Sequence, residues 1–276
     1  MKLARFRALR GLATGVVTDH GVADLGPAFD DFGFALSPGG RAEAARAAAG
    51  ASLRPLADLR LAPPLAAGAR LFCIGLNYRD HVAETGREMP PQPSLFTRTH
   101  ESVVAQGEPM RKPRASGHFD YEGELGVVIG APARALAEAD ALACVAGYTC
   151  FNDGSVRDFQ KHSVTAGKNF DSSGACGPWV TTADEIPDPT RLTLCTRLNG
   201  SEVQRSGTDR LIYSIPFILS YLSTFTALRP GDVIATGTPS GVGSRRSPPL
   251  WMKPGDRIEV EISGIGTLAN PIEEER

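Results

Sequence analysis

The 276-residue chain carries 42% hydrophobic and 22% charged residues, the proportions of a globular protein with a sizeable core, which excludes wholesale disorder and a fibrous repeat. Its 29 basic against 31 acidic residues leave a formal charge of -2, so no global field draws it to nucleic acid or to an anionic membrane. No run approaches the roughly 20 apolar residues of a membrane span, and the Ala-rich stretch 42–51 is interrupted by Glu43 and Arg46.

The basic start, 1–17, is broken by Arg5, Arg7 and Arg10 and reads as mature protein rather than a leader. Apolar residues at 15–18 and 22–25 flank Asp19-His20-Gly21, the pattern of a hairpin. A helix is predicted over 42–51, with Pro38-Gly39-Gly40 as the loop before it. Pro63 and Pro64 then punctuate the chain, dividing a small β-rich N-terminal region, 1–65, from a larger unit, 66–276. In that unit, strands are expected at 70–75, 125–129, 144–151, 192–198, 233–236 and 258–262, and helices at 135–144 and 212–225, with Pro216 in the first turn of the latter. Strands outnumber helices without a regular strand–helix repeat, which points to a mixed, β-dominated α+β fold. Five cysteines, an odd number without CxxC or zinc spacing, read as reduced thiols of a cytoplasmic protein.

Three acidic positions stand out. Glu122 and Glu124 share a face if the strand begins early, and Asp153 follows another strand. Spacing alone fits either a solvated acidic edge or an all-oxygen site for a hard divalent ion, Mg2+ or Mn2+. His81 and Glu84, at i and i+3, fit either a casual surface pair or a general base held by its orienter. Gln160, Lys168 and Arg98 are further polar candidates. The glycine-rich turn 236–243 lacks the Gly-Lys-Ser/Thr of a Walker loop, so phosphate cradling is weakly supported.

Taken in order, Gly75-Leu76-Asn77-Tyr78 with His81 and Glu84, Tyr121-Glu122-Gly123-Glu124-Leu125, Gly147-Tyr148 with Asn152-Asp153, Arg157-Asp158 with Gln160, Gly167-Lys168, Asn199-Gly200, Pro230-Gly231-Asp232-Val233-Ile234 and Thr236-Gly237-Thr238-Pro239 closely resemble the fumarylacetoacetate hydrolase family over roughly residues 70–270. The resemblance implies a mixed β-roll, usually dimeric, with 66–276 as the catalytic unit. It implies Glu122, Glu124 and Asp153 as ligands of Mg2+ or Mn2+, and His81 with Glu84 as a catalytic dyad on a loop that closes over substrate. Lys168 is implied as a catalytic cation, with Gln160 and Thr238 facing the substrate. Arg98 stands where the family pattern has Lys. It would either meet a distal carboxylate or form an ion pair with an acid of its own chain.

The implied function is metal-dependent hydrolysis of a carbon–carbon bond in a small anionic diketo or 2-oxo acid such as an acylpyruvate, with an enolate stabilised by the metal. The same chemistry would serve an oxaloacetate-type decarboxylase or a keto–enol isomerase of unsaturated 2-oxo diacids. A rival from another class is a binding protein that keeps the fold without the chemistry. A homodimer is expected, with neither nucleic acid nor membrane as partner.

Overall fold

The computed structural model describes residues 1–9 and 11–275. Its spine is a large, mostly antiparallel sheet in which Gly21–Asp24, Gly11–Thr18, Lys2–Ala8, Gly174–Thr182, Val145–Asn152, Gly123–Ile129, Val233–Ala235, Leu71–Gly75 and Ser94–Arg98 lie side by side in that order. The N-terminal hairpin continues this sheet, because Lys2 and Leu3 pair with Thr181 and Val180. Beyond Ser94–Arg98 the chain turns into Val103–Val104, which pairs in parallel with Gly174 and Ala175. This return of an outer strand to the sheet's middle closes a roll and carries Arg98 into its interior.

A second sheet, ordered Ser201–Gly207, Thr193–Leu198, Arg257–Ile262, Gly266–Glu274 and Met110–Lys112, packs against the first. Alternation explains the contact: Ile258, Val260 and Ile262 turn inward to meet Leu125, Val127 and Ile129. The other face of the central strand sends Val128 into a separate core with Leu3, Phe32, Leu36 and Val180. Both faces are therefore covered, and the strand is apolar nearly throughout. The mixed α+β character expected from the sequence is what this fold has.

Two helices differ from expectation. The one expected at 42–51 runs Pro38–Gly50, because Ser37 accepts the Gly40 amide and Pro38, needing no amide partner, begins the first turn. The segment expected to be helical over 135–144 forms only the tighter 3-10 winding of Glu138–Cys144. Its start is drawn away from helical geometry: Ala135 has φ 53°, its amide donates to the Ser223 carbonyl, and the Leu136 amide donates to Ser223 Oγ. The helix expected at 212–225 forms as Ile215–Phe225, starting three residues later because Ser214 caps it, with Pro216 in the first turn as expected. All five cysteines are buried and unpaired. Among the described residues, no helix is long and apolar enough to cross a membrane.

Candidate active site

The topology gathers the polar motifs at one end of the large sheet. Leu71–Gly75 and Val233–Ala235 run in parallel and end together, while the antiparallel Gly123–Ile129 begins there and Val145–Asn152 ends there, with Gly123 opposite Asn152. Segments 76–81, 236–243, 122–124 and 152–153 thus converge although far apart in sequence. Asn77 fastens the first of them, donating to the carbonyls of Tyr213 and Thr236 and accepting the Tyr213 amide.

The floor is made of carboxylates. Glu122, Glu124 and Asp153 are buried, with ligand oxygens that all lie within 4.8 Å of one another. Lys168 Nζ donates to Glu122 Oε2 and Asp153 Oδ2, both at 2.6 Å, and to the Asp153 carbonyl at 3.0 Å. Arg157 lies 2.7 Å from Glu122 Oε1 and 2.8 Å from Asp120 Oδ2. Burial pushes the Glu122 carboxyl up, but Lys168 and Arg157 outweigh it and hold the group at about 2. Among the described residues no cation is in contact with Glu124. Its Oε2 accepts the Gly237 amide at 2.8 Å, and burial reinforced by Asp153 and Glu122 outweighs the nearby Lys168 charge and drives its carboxyl well above the usual range.

With Asp120 counted, four carboxylates, Asp120, Glu122, Glu124 and Asp153, face three cations, Arg98, Arg157 and Lys168, and Glu124 is the one that none of these cations touches. Three converging oxygen donors with an uncompensated carboxylate fit a hard divalent cation, and Glu122, Glu124 and Asp153 would hold it.

Beside the floor, the helix Arg79–Thr85 presents His81, whose Nδ1 lies 3.0 Å from Glu84 Oε2, and the Gly241 amide donates to Glu84 Oε1 at 2.8 Å. A carboxylate on Nδ1 keeps the proton there and leaves Nε2 free to take another. The glycine-rich turn 236–243 serves these acids rather than a phosphate. Gly237 donates to Glu124, Gly241 to Glu84, and Gly243 to Asp120 Oδ1 at 2.7 Å. Gly237 and Gly241 have φ of 107° and 101°, the region glycine reaches without strain, and a Cβ on Gly241 would stand 2.2 Å from the Val203 carbonyl.

His81, Glu122, Glu124, Gln160, Lys168 and Thr238 line a cleft of about 420 Å³, with Asp153 and Glu84 behind them. Gln160 accepts from Arg157 at 3.0 Å. The Thr238 hydroxyl donates to the Gly123 carbonyl and accepts from Gln204. Lys168 spends three donors on the floor, so while it bridges both carboxylates none remains for a substrate oxygen.

Arg98 lies outside the cleft lining. Its side chain is fully buried, bonded to Asp153 Oδ1 at 2.7 Å, to Ser102 Oγ and carbonyl, to the Gly154 carbonyl and to Ser173 Oγ. Of the two roles open to it, this geometry is that of the internal ion pair, since every guanidinium nitrogen is engaged away from solvent. Sequence reasoning assigned no role to Asp120, Arg157 or Gln204. Asp120 accepts from Arg157 and from the amides of Gly243 and Ser244, and Gln204 Oε1 accepts the Gly123 amide. The one available signal was Asp120 standing two residues from Glu122, a crowding of acids that demands nearby donors.

A rolled sheet thus brings a buried three-carboxylate cluster, a donor set that suits a divalent cation, beside a His–Glu pair. The model of the fumarylacetoacetate (FAA) hydrolase C-terminal domain matches residues 70–273, and the chain belongs to the fumarylacetoacetate hydrolase family. It is 37% identical over 219 residues to the mitochondrial oxaloacetate tautomerase fahd2 of Xenopus laevis, covering 78% of this chain and 69% of that protein. Maleylpyruvate hydrolase of Sphingobium sp. SYK-6, solved with manganese(II) and pyruvate, superposes with a TM-score of 0.85 at 29% identity and full coverage of both chains. The 2-hydroxyhepta-2,4-diene-1,7-dioate isomerase of Mycobacterium marinum gives a TM-score of 0.78 at 29% identity, covering 100% of this chain and 99% of that one. Relatives of this chain thus include a tautomerase, a hydrolase and an isomerase.

Proposed function

We propose that this protein hydrolyses a carbon–carbon bond in a small acylpyruvate-like diketo acid, using Mg2+ or Mn2+ held by Glu122, Glu124 and Asp153. The observation that carries the reading is His81, paired with Glu84, lining the same cleft as Glu122 and Glu124 of the three-carboxylate cluster. When bound, the cation supplies a Lewis acid that polarises the oxygens of a 2-oxo acid.

The chain's own groups do the rest. Glu84, fixed by the Gly241 amide, orients His81, and Nε2 takes a proton from water as its oxygen attacks the carbonyl carbon remote from the carboxylate. The carbon–carbon bond breaks with its electron pair passing to the pyruvate fragment, which accepts a proton, while the acyl carbon leaves as a carboxylic acid. Lys168 and Arg157 keep positive charge beside the anionic reactant. Gln160 lines the cleft where it would hydrogen-bond the substrate, and the Thr238 turn would meet its proximal carboxylate. The family resemblance supports a homodimer as the working form.

A second reading, keto–enol tautomerisation of an oxaloacetate-like acid, is favoured by the tautomerase relative and needs the same base without an activated water. One experiment separates them: Mn2+-saturated protein is given acetylpyruvate, fumarylpyruvate and oxaloacetate, with products followed by mass and the enol by absorbance. Pyruvate with the matching acid is the expected result. Accelerated enol decay of oxaloacetate without cleavage of either acylpyruvate would overturn hydrolysis in favour of tautomerisation.

A further inference from the structure

The peptide between the two glutamates of the floor is gripped from the second sheet. Gly123 donates its amide to Gln204 Oε1 at 3.0 Å, and its carbonyl accepts the Thr238 hydroxyl at 2.9 Å. Gln204 Nε2 in turn donates to Thr238 Oγ1 at 2.8 Å and to the Pro239 carbonyl at 2.9 Å. Gln204, Thr238 and Gly123 thus close a ring of hydrogen bonds, with Gln204 only 2% exposed. The ring has one polarity. A backbone amide only donates and a carbonyl only accepts, so the Gln204 amide has a single orientation that satisfies both ends. Thr238, receiving a hydrogen from Gln204, must send its own to Gly123.

A bulge is what aims Gln204 here. In the hairpin of Thr193–Leu198 and Ser201–Gly207, Thr196 stands opposite Gln204 but Arg197 stands opposite Glu202, so Val203 is an extra residue on the edge strand. Regular alternation would send Val203 and Gln204 to opposite faces, yet both are buried. The paired strand closes in on the same spot: a Cβ on Gly123 would stand 2.1 Å from Thr196 Oγ1, so only glycine fits between the glutamates.

The grip bears most on Glu124. Glu122 is aimed by Lys168 and Arg157, whereas Glu124 is aimed by the backbone it grows from and by the Gly237 amide. Gln204 steadies both, because Gly237 directly precedes Thr238 and Pro239, which it holds. Mg2+ demands a near-octahedral set of oxygens at about 2.1 Å, while Ca2+ accepts a looser set at about 2.3–2.6 Å. A fixed spacing of carboxylates therefore favours the smaller ion, and a loosened one gives that advantage away.

We infer that Gln204 is a positioning residue for the cation: by locking the Gly123 peptide it sets the spacing of the Glu122 and Glu124 oxygens and favours Mg2+ and Mn2+ relative to Ca2+. The inference rests on the cation reading of the floor and adds the residue that governs its selectivity.

The test uses the full chain with Mn2+, Mg2+ and Ca2+ alone. Gln204→Met keeps the length of the side chain and removes its donor and acceptor. Mn2+ affinity, followed by electron paramagnetic resonance, should fall about tenfold, and the spectrum of the bound ion should broaden. Competition against Mn2+ should show the ratio of Mg2+ to Ca2+ affinity falling, because Mg2+ loses more. Thr238→Val cuts the same ring at another member and should move the ratio in the same direction, with the double variant changing it by less than the product of the two single effects. A lowered melting temperature with the ratio and the spectrum unchanged would leave Gln204 a merely structural residue and overturn the inference. If Gln204→Met fails to fold, an unchanged ratio in Thr238→Val overturns it equally. A parent that binds none of the three ions would sink the cation reading and the inference together, whereas the expected fall in ratio in a protein that leaves acylpyruvates uncut would sink the hydrolase reading alone.

Discussion

The floor of the cleft and the arm that carries His81 are built to different standards. On the floor, Asp153 is held by Arg98 and Lys168, Glu122 by Lys168 and Arg157, and Glu124 by the Gly237 amide. These groups stand on or beside central strands of the rolled sheet, buried except where Glu122, Glu124 and Lys168 face the cleft. The arm is a seven-residue helix ending at Gly86 in a left-handed cap, followed by an exposed stretch through Met89, and among the described residues its His81–Glu84 side-chain pair has one hydrogen-bonded anchor beyond itself, the Gly241 amide. On the proposed function, an ion and a 2-oxo acid would sit on the rigid floor and the base would come to them on a separable element. Binding and turnover should come apart under mutation along that line.

The largest effect is expected from His81→Ala. Loss of a positioned general base should lower turnover of the best acylpyruvate by about 10²–10⁴-fold, while calorimetric Mn2+ affinity stays close to the parent's, because His81 is no part of the carboxylate cluster. Equal losses in both would erase the proposed division between arm and floor.

Asp153→Asn attacks the floor instead. It strands Arg98, whose side chain is completely buried, and removes one of the two carboxylates under Lys168. Breaking a buried pair in this way should cost about 3–5 kcal/mol in denaturant unfolding, with Mn2+ binding weakened as well. A cost below about 1 kcal/mol, the scale of a surface ion pair, would mean that the floor is not the rigid element its hydrogen bonds describe.

Two glycines of one turn sharpen the contrast. Each has positive φ, and a Cβ would meet Asn77 Cβ at 2.7 Å from Gly237 and the Val203 carbonyl at 2.2 Å from Gly241. Either alanine substitution should destabilise by about 1–3 kcal/mol. Gly237→Ala displaces an amide from Glu124 and should weaken Mn2+ binding, whereas Gly241→Ala displaces one from Glu84 and should reduce turnover with metal binding preserved. Identical profiles for the pair would show that the turn acts as one unit.

What the sequence disclosed follows the same division. The ordered motifs pointed to Glu122, Glu124, Asp153, His81 and Glu84 as one site, and these five are brought together. The strand expected at 258–262 forms as Arg257–Ile262, and the helix expected at 212–225 forms as Ile215–Phe225 with Pro216 in its first turn. The partners of the acids were hidden because they lie far off in the chain. Arg98 meets Asp153 55 residues away, Gly237 meets Glu124 at 113, and Gly241 meets Glu84 at 157. No local pattern distinguishes an arginine facing a substrate from one folded under a roll, and only the return of Val103–Val104 to the central sheet decides between them. The start of the helix Pro38–Gly50 was misjudged for a smaller reason: Pro-Gly-Gly reads as loop until Ser37 is recognised as its cap.

The smallest expected effect concerns the proton that stands in for the cation. Burial, with Asp153 and Glu122 close by, raises the Glu124 carboxyl well above its value in an unfolded chain, near 4.3. Between those two values metal-free folded protein therefore holds this proton more firmly than unfolded protein does, by at most one proton. Its stabilising share is complete below the unfolded value and is lost as pH rises through the folded one, with a slope of at most about 1.4 kcal/mol per pH unit. Glu122, held at about 2 by Lys168 and Arg157 against the effect of burial, behaves oppositely: its contribution stands above the unfolded value and fails only as pH falls toward 2. Unfolding of the metal-free parent should consequently become easier with rising pH, relative to Glu124→Gln, which has no proton to lose. Saturating Mn2+ should abolish the difference in slope, because the cation takes the proton's place, and calorimetry in buffers of different ionisation enthalpy should record release of about one proton per ion bound. Parallel pH dependence for metal-free parent and Glu124→Gln would mean that Glu124 is neutralised by something other than a proton, and the floor's appetite for a cation would need another source.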